Sequence, residues 1–250
     1  MGMTTPTSAL QAAPPQAAPS GRAATRVLVV EDDPTVAEVV ARYLRRDGHE
    51  VTVVGDGRLA LGRAAGAAPD LVVLDIMLPG LDGLEVCRRL RERGPVPIII
   101  LSARGDETDK LIGLDLGADD YVSKPFSPRE LAARVRTVLR RVQPPSPPPE
   151  DRGPVTLGSI TLDSRARAVS VDGSAVSLTV REFDLLDFFM RHPSEVFRRE
   201  ALLERVWGYT FGDTSTVTVH VRRLREKVEA DPAAPCHIQT VWGVGYRFNP

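Results

Sequence analysis

Asp75 closes the apolar run Leu71-Val72-Val73-Leu74, and a carboxylate in that place could hold a metal ion or attack a phosphorus atom. A short, fully apolar run reads as a buried strand of a parallel sheet. Open α/β sheets do their chemistry at the carboxyl ends of such strands. Glu31, Asp32 and Asp33 end another apolar run, Arg26 to Val30. Ser102 ends the run Ile98 to Leu101, and Lys124 follows Tyr121-Val122-Ser123. Each of these residues alone would be a solvated loop group. Several at matching topological places point to a site for a divalent cation and a phosphoryl group. Mg²⁺ takes oxygen ligands, usually one or two carboxylates with phosphate and water. Asp32 and Asp75 can supply oxygens directly, and Glu31 directly or through water. Asp33 is equally well a helix N-cap. Clustered carboxylates raise one another's pKa; a cation and Lys124 reverse this and leave Asp75 ionised and nucleophilic. The Ser102 hydroxyl can donate to a phosphoryl oxygen.

The elements that would position these groups alternate. Strands are predicted near 26–30, 51–54, 71–75, 96–101 and 120–122, and helices near 34–47, 57–67, 83–93, 107–117 and 127–141. Gly48, Gly94 and Gly117 suit helix ends. Alternating units imply a parallel sheet with helices on both faces. The run from Gln143 to Pro154 is dense in proline and reads as an extended linker. The domain reading is a disordered tail over 1–24, a phosphoacceptor domain over 25–142, a linker over 143–154 and a second domain over 155–250.

That second domain has short β-prone runs at Ile160–Leu162, Ala168–Val171 and Ala175–Leu178. Helices are predicted near 180–191, 199–206 and 214–229. Two strands, 237–241 and 246–249, flank Trp242-Gly243-Val244-Gly245. In helix 214–229, Val217, Val221, Leu224 and Val228 form one core stripe. The opposite face carries Ser215, Val219, Arg222, Arg223 and Glu226, with Thr216 and His220 beside it. Arginines there can bind guanine edges or phosphates, and Val219 could touch a thymine methyl. A charged helix alone would be a solvated face; the preceding helix and the glycine hairpin complete a helix-turn-helix with a wing.

Composition narrows the classes further. The 250-residue chain has a net charge of −1, 42% hydrophobic and 26% charged residues. That is globular composition, and nucleic-acid contact must come from local patches. Cys87 and Cys236 fit no disulfide framework or metal spacing, so reducing, cytoplasmic surroundings are expected. No stretch approaches the ~18 apolar residues that span a bilayer, so no membrane partner is expected.

The motifs V-V-E-D-D-P, L-V-V-L-D-I-M-L-P-G-L-D-G, I-I-I-L-S-A-R and G-A-D-D-Y-V-S-K-P-F resemble the receiver domain of two-component response regulators. The stretches L-T-V-R-E-F-D-L-L, T-V-T-V-H-V-R-R-L-R-E-K-V and T-V-W-G-V-G-Y-R-F resemble the winged-helix effector domain of the OmpR/PhoB type. The resemblance implies a flavodoxin-like (βα)5 receiver, strand order 2-1-3-4-5, joined to an α+β winged helix. It implies a transcription factor rather than an enzyme. A sensor histidine kinase would donate the phosphoryl group to Asp75 with Mg²⁺ held by Glu31, Asp32, Asp75 and the Met77 carbonyl. Lys124 and Ser102 would complete the site, Ser102 and Tyr121 would form the switch, and the Lys124–Pro125 peptide would be cis. Thr216, Val219, His220, Arg222 and Arg223 would meet promoter DNA, with Trp242 and Arg247 on the wing. Many relatives carry arginine where Trp242 stands, so a minor-groove contact by the wing would fall to Arg247. The segment 207–213 would face RNA polymerase or pack on the core. Lys110, Asp119, Asp120, Glu130, Arg134 and Arg136 would form a two-fold receiver dimer through pairs Lys110–Glu130, Asp120–Arg134 and Asp119–Arg136; the alternative is that these residues bridge within one chain. Two other functions compete. A phosphatase of the aspartyl-phosphate kind normally needs an acid two residues after the nucleophile, where this chain has Met77. A phosphorylation-independent DNA-binding regulator would not need Asp32, Asp75, Ser102 and Lys124 together.

Overall fold

The computed structural model describes residues 24–103, 112–142, 153–209 and 213–250. Five parallel strands run in the order β2-β1-β3-β4-β5. They are β1 (Arg26–Val30), β2 (Glu50–Val54), β3 (Leu71–Asp75), β4 (Ile98–Ala103) and β5 (Asp120–Lys124). Around them lie α1 (Pro34–Arg46), α2 (Gly57–Gly66), α3 (Gly83–Arg93) and α4 (Pro128–Val142), with a helical stretch over 112–115. Residues 107–111 of the helix predicted over 107–117 lie outside the described residues. So do the expected tail through residue 23 and the linker through residue 152.

The two-residue period of a strand sorts side chains to opposite faces. Val27 and Val29 join Leu71, Val73 and Ile99 in a core with Val40 and Leu44 of α1 and Leu131, Val135 and Leu139 of α4. Leu28 and Val30 join Val72, Leu74 and Ile100 in the other core, with Ala60 of α2 and Val86 and Leu90 of α3. All of β3 is buried, as its unbroken apolar run demands. Three helices start on aspartate caps: Asp33, Asp56 and Asp82 accept from the first free backbone amides of α1, α2 and α3.

The second domain opens with an antiparallel sheet of β6 (Val155–Leu157), β7 (Ile160–Asp163), β8 (Ala168–Val171) and β9 (Ser174–Ala175). The strand predicted over Ala175–Leu178 ends at Ala175, because Thr179 shortly afterwards already caps the next helix. That helix, α5 (Val180–Arg191), carries a capping box between Thr179 and Glu182. A short strand β10 (Val196–Arg198) follows, then α6 (Arg199–Leu202), which widens into a π turn over Leu203–Trp207. The long helix α7 (Ser215–Val228) precedes β11 (Ile238–Val241) and β12 (Gly245–Phe248). The sheet order β10-β12-β11 makes β11, β12 and their turn a hairpin wing. A Cβ on Gly245 would stand 1.9 Å from the Phe197 carbonyl oxygen, so glycine is what lets β10 pair with β12.

Candidate functional site

The sheet order places the ends of β1 and β3 side by side, with β4 and then β5 beyond. Four of the predicted groups therefore meet. Lys124 Nζ lies 2.7 Å from Asp75 Oδ2 and 2.8 Å from Glu31 Oε2. Carboxylate oxygens of Glu31, Asp32 and Asp75 all lie within 4.8 Å of one another. Glu31 and Asp75 are each 2% exposed, whereas Asp32 is open to solvent. Burial, with repulsion from Asp75, raises the Glu31 pKa, and its bonds to Lys124 pull less strongly the other way. The Lys124 ammonium is raised: burial opposes it, but the hydrogen bonds to Asp75 and Glu31 outweigh burial. Three acids against one ammonium leave excess negative charge in a partly dry pocket, and the all-oxygen donor set suits a hard divalent cation.

The Met77 amide donates to Asp75 Oδ1 at 3.3 Å, so the chain turns back on Asp75 there. The Met77 side chain is 67% exposed. Ser102 is buried at the end of β4, one strand from Asp75 and in register with Ser123 of β5. The Lys124–Pro125 peptide is cis. Asp33 caps α1, accepting from Thr35 N at 2.7 Å and Val36 N at 3.2 Å; those two bonds hold its pKa below the ordinary range. An apolar groove of about 470 Å³ borders the site, lined by Val36, Val39, Val40, Pro125 and Phe126 beside Lys124.

Gly83 is a site residue that the sequence reading missed. A Cβ there would stand 2.0 Å from the Asp75 carbonyl oxygen and 2.7 Å from Ile76 Cα. The start of α3 thus rests on the backbone of Asp75. Its only sequence signal is the Asp82-Gly83 pair at a helix start, which reads equally as an ordinary turn. Gly83→Ala is expected to push β3 and α3 apart, costing about 1–3 kcal/mol as overpacking does, and to slow phosphorylation of Asp75. An unchanged melting temperature with an unchanged phosphorylation rate would refute the close approach.

The candidate nucleic-acid interface is arranged differently. Val217, Val221, Leu224 and Val228 are buried as the core stripe of α7. Part of the opposite face, however, is covered by the receiver. Val219 is 7% exposed and belongs to the receiver core that contains Tyr121 and Leu114. Arg223 Nη1 donates to the Leu114 carbonyl at 3.1 Å, and Arg223 Nη2 pairs with Glu182 at 2.8 Å. Arg222 pairs with Asp115 and remains about half exposed. Thr216 and His220 are buried at 1% and 0% exposure. On the wing, Trp242 is 90% exposed, and Arg247 donates to Gln239 Oε1 at 2.9 Å.

The receiver's side of this seam is the helical stretch over 112–115 together with β5 and α4, the last two being where the dimer residues were expected. Asp120 and Arg134 do pair, but within the chain, at 3.0 Å. Arg134 also holds Glu130 at 2.9 Å and lies over the Tyr209 ring at 4.1 Å, while the Tyr209 hydroxyl donates to Asp120 Oδ1 at 2.7 Å. Asp119 accepts from Arg91 Nη2 at 2.6 Å and from the backbone amides of Ile98 and Arg181. Its carbonyl accepts from Trp207 Nε1 at 3.3 Å. Arg136 pairs with Asp47, and Lys110 lies outside the described residues. The aromatic segment after α6 packs through Trp207 and Tyr209 against the receiver; residues 210–212 lie outside the described residues. Sequence periodicity marks an unpaired helical face but says nothing of which domain will cover it.

The sequence matches the response regulator receiver domain over residues 27–136 and the C-terminal domain of transcriptional regulatory proteins over residues 173–248. It is 49% identical over 226 residues to the sensory transduction protein RegX3 of Mycolicibacterium smegmatis, covering 90% of this chain and 99% of the relative. The DNA-binding response regulator MtrA of the same organism is also 49% identical over 226 residues, with 90% and 97% covered. A solved structure of a RitR mutant superposes with a TM-score of 0.68 at 28% identity, covering 90% of this chain and 99% of that one.

Proposed function

The chain belongs to the DNA-binding response regulators of two-component systems, OmpR/PhoB type, and we propose that Asp75 is its phosphoacceptor and α7 with the wing its DNA-reading surface. The observation that carries the first half is the Lys124–Asp75 contact beside the Glu31, Asp32 and Asp75 oxygens. Glu31, Asp32, Asp75 and the Met77 carbonyl would hold Mg²⁺, which when bound would offset negative charge on the phosphoryl oxygens. Asp75 attacks phosphorus as the P–N bond to the donor's histidine breaks and the freed imidazole stays with the donor; Lys124 steadies one equatorial oxygen, and Ser102 donates to another. The phosphohistidine of a sensor kinase supplies the group, and the apolar groove beside Lys124 offers that protein donor a surface. Ser102 and Tyr121 then form the switch.

In the closed arrangement Val219, His220, Thr216 and Arg223 cannot reach DNA. Reading DNA through them requires α7 to leave the receiver, which also frees Asp120 and Arg134 from Tyr209. The receiver dimer would then use β5 and α4: Asp119, Asp120, Glu130, Arg134 and Arg136, with Lys110. Opened effector domains would engage promoter DNA and RNA polymerase in the cytoplasm. Among the described residues no helix is long and apolar enough to cross a membrane.

Incubation with acetyl phosphate and Mg²⁺ tests this directly. Sedimentation should show a monomer becoming a dimer, and promoter affinity should rise with it. Arg136→Glu, at an exposed position, should leave phosphorylation intact and weaken the dimer. A phosphorylated protein that neither dimerises nor binds DNA more tightly would overturn the reading.

A further inference from the structure

We infer that His220 is a proton-sensitive latch: neutral imidazole permits closure of α7 on the receiver, and protonation opens it without phosphorylation. The inference rests on the reading of α7 as the DNA-binding helix. It starts from a buried ring with one nitrogen unused. His220 is 0% exposed, and its Nδ1 lies 2.8 Å from the Thr216 carbonyl. A carbonyl only accepts, so Nδ1 carries the proton and Nε2 is left with its lone pair. Nε2 is buried and has no hydrogen-bond partner among the described residues. A second proton would place a new N–H, and a charge, where nothing accepts either.

The surroundings set the sign. The ring lies edge-on to Trp207, with centroids 5.1 Å apart, and Trp207 Nε1 is bonded to the receiver at the Asp119 carbonyl. The charged groups facing it are Arg223 of α7, Glu182 of α5 and Asp119 of the receiver. Glu182 is engaged by Arg223 and Lys227, and Asp119 by Arg91, so both carboxylates already have cations against them. Burial dominates and pushes the His220 pKa below its ordinary value; the Thr216 bond pulls up and Arg223 pushes down. His220 lies on α7 beside Val219 and Arg223, which pack against the receiver, so opening strips cover from that side of the ring. Opening also removes Asp119, which favours the charged ring, but burial is the larger cause and sets the sign.

Because the closed form has the lower pKa, the open form binds the proton more readily. Closure is at full strength above the ordinary histidine pKa of about 6.5 and weakens as pH falls through it, until the depressed closed-state value is reached. The open-to-closed ratio should rise up to about tenfold for each pH unit in that window. The imidazolium so released lies on the helix proposed to meet phosphates, where its charge favours DNA.

The test follows the unphosphorylated full chain by small-angle X-ray scattering from about pH 7.5 to about pH 5.5, the range in which histidine titrates. Wild type should expand on acidification, and His220→Gln should stay compact throughout. His49→Gln, which removes another histidine of lowered pKa, should expand as wild type does. Expansion of His220→Gln equal to wild type, or a wild type compact at both ends, overturns the latch while leaving the closed arrangement standing. A wild type extended even at about pH 7.5, above the histidine range, overturns the closed arrangement itself. Should His220→Gln fold poorly, the ¹³C titration of the His220 ring in wild type, followed alongside the scattering, decides: expansion that tracks protonation of this ring supports the latch, and expansion at a different pH rejects it.

Discussion

Asp75→Asn is expected to abolish the gain of about 80 Da that one phosphoryl group adds to the intact protein. The amide keeps the shape of the carboxylate but loses its charge and nucleophilic oxygen. Asp75 Oδ2 is also the atom nearest the Lys124 ammonium, at 2.7 Å. In the variant Lys124 retains Glu31, at 2.8 Å, so the fold should survive. Asp32→Asn should separate the two roles of the cluster. It would remove an exposed proposed cation ligand and leave the proposed nucleophile, so labelling should become slow and demand more Mg²⁺ rather than disappear. Intact mass spectrometry after acetyl phosphate treatment, with and without Mg²⁺, reads both. Undiminished labelling of Asp75→Asn would remove Asp75 as the acceptor and with it the switch built around it.

Replacing Arg222 and Arg223 together by alanine is expected to remove most of the DNA affinity of the phosphorylated protein. Deleting a bidentate base contact costs roughly 1–3 kcal/mol and relaxes specificity at one base, whereas deleting a phosphate contact weakens all sequences alike and lowers the salt slope by about one. The two arginines are not equivalent. Arg222 is about half exposed and reaches the receiver only through a surface pair with Asp115 among the described residues, so its removal reports chiefly on DNA. Arg223 neutralises the buried Glu182 at 2.8 Å, and alanine there leaves that carboxylate with Lys227, at 2.6 Å, and the Thr179 amide. Arg223→Ala should therefore also lower the melting temperature. It removes a bond to the receiver at the Leu114 carbonyl as well, which favours opening. If phosphorylation opens the protein as proposed, closure does not compete in that state, and the affinity lost reports on the DNA contact and on the stability of the domain. Arg223→Lys separates the effects: the charge beside Glu182 stays while the planar fork is removed. Full affinity in the folded double variant would dismiss α7 as the reading helix.

The cluster of Glu31, Asp32, Asp75 and Lys124 was legible because its members stand at or just past the ends of short strand runs. The strand pattern that buries Leu71–Leu74 also delivers Asp75 to the carboxyl edge. The core stripe of α7 was legible too, since helical period alone selects Val217, Val221, Leu224 and Val228. Gly83 was not, because its constraint comes from the Asp75 carbonyl across a chain turn, a contact no periodicity encodes. The strand β10 was missed likewise: Val196–Arg198 is three residues long and exists by pairing with β12, far along the chain.

Composition and periodicity by themselves determined an alternating first domain, a second domain of short strands and helices that ends in a glycine hairpin, and acids, a serine and a lysine near strand ends, because these follow from local patterns of period two and period 3.6; the strand order that gathers those ends came from the family resemblance. Tertiary structure alone decided what covers the polar faces. Arg134 and Asp120 have the charges for pairing between chains, yet here they close around Tyr209 of their own chain. His220 sits on a polar helical face yet is fully buried. A charge pattern specifies which groups can pair, but the partner is the one the packed domains bring within reach, and burial then sets what holding it costs.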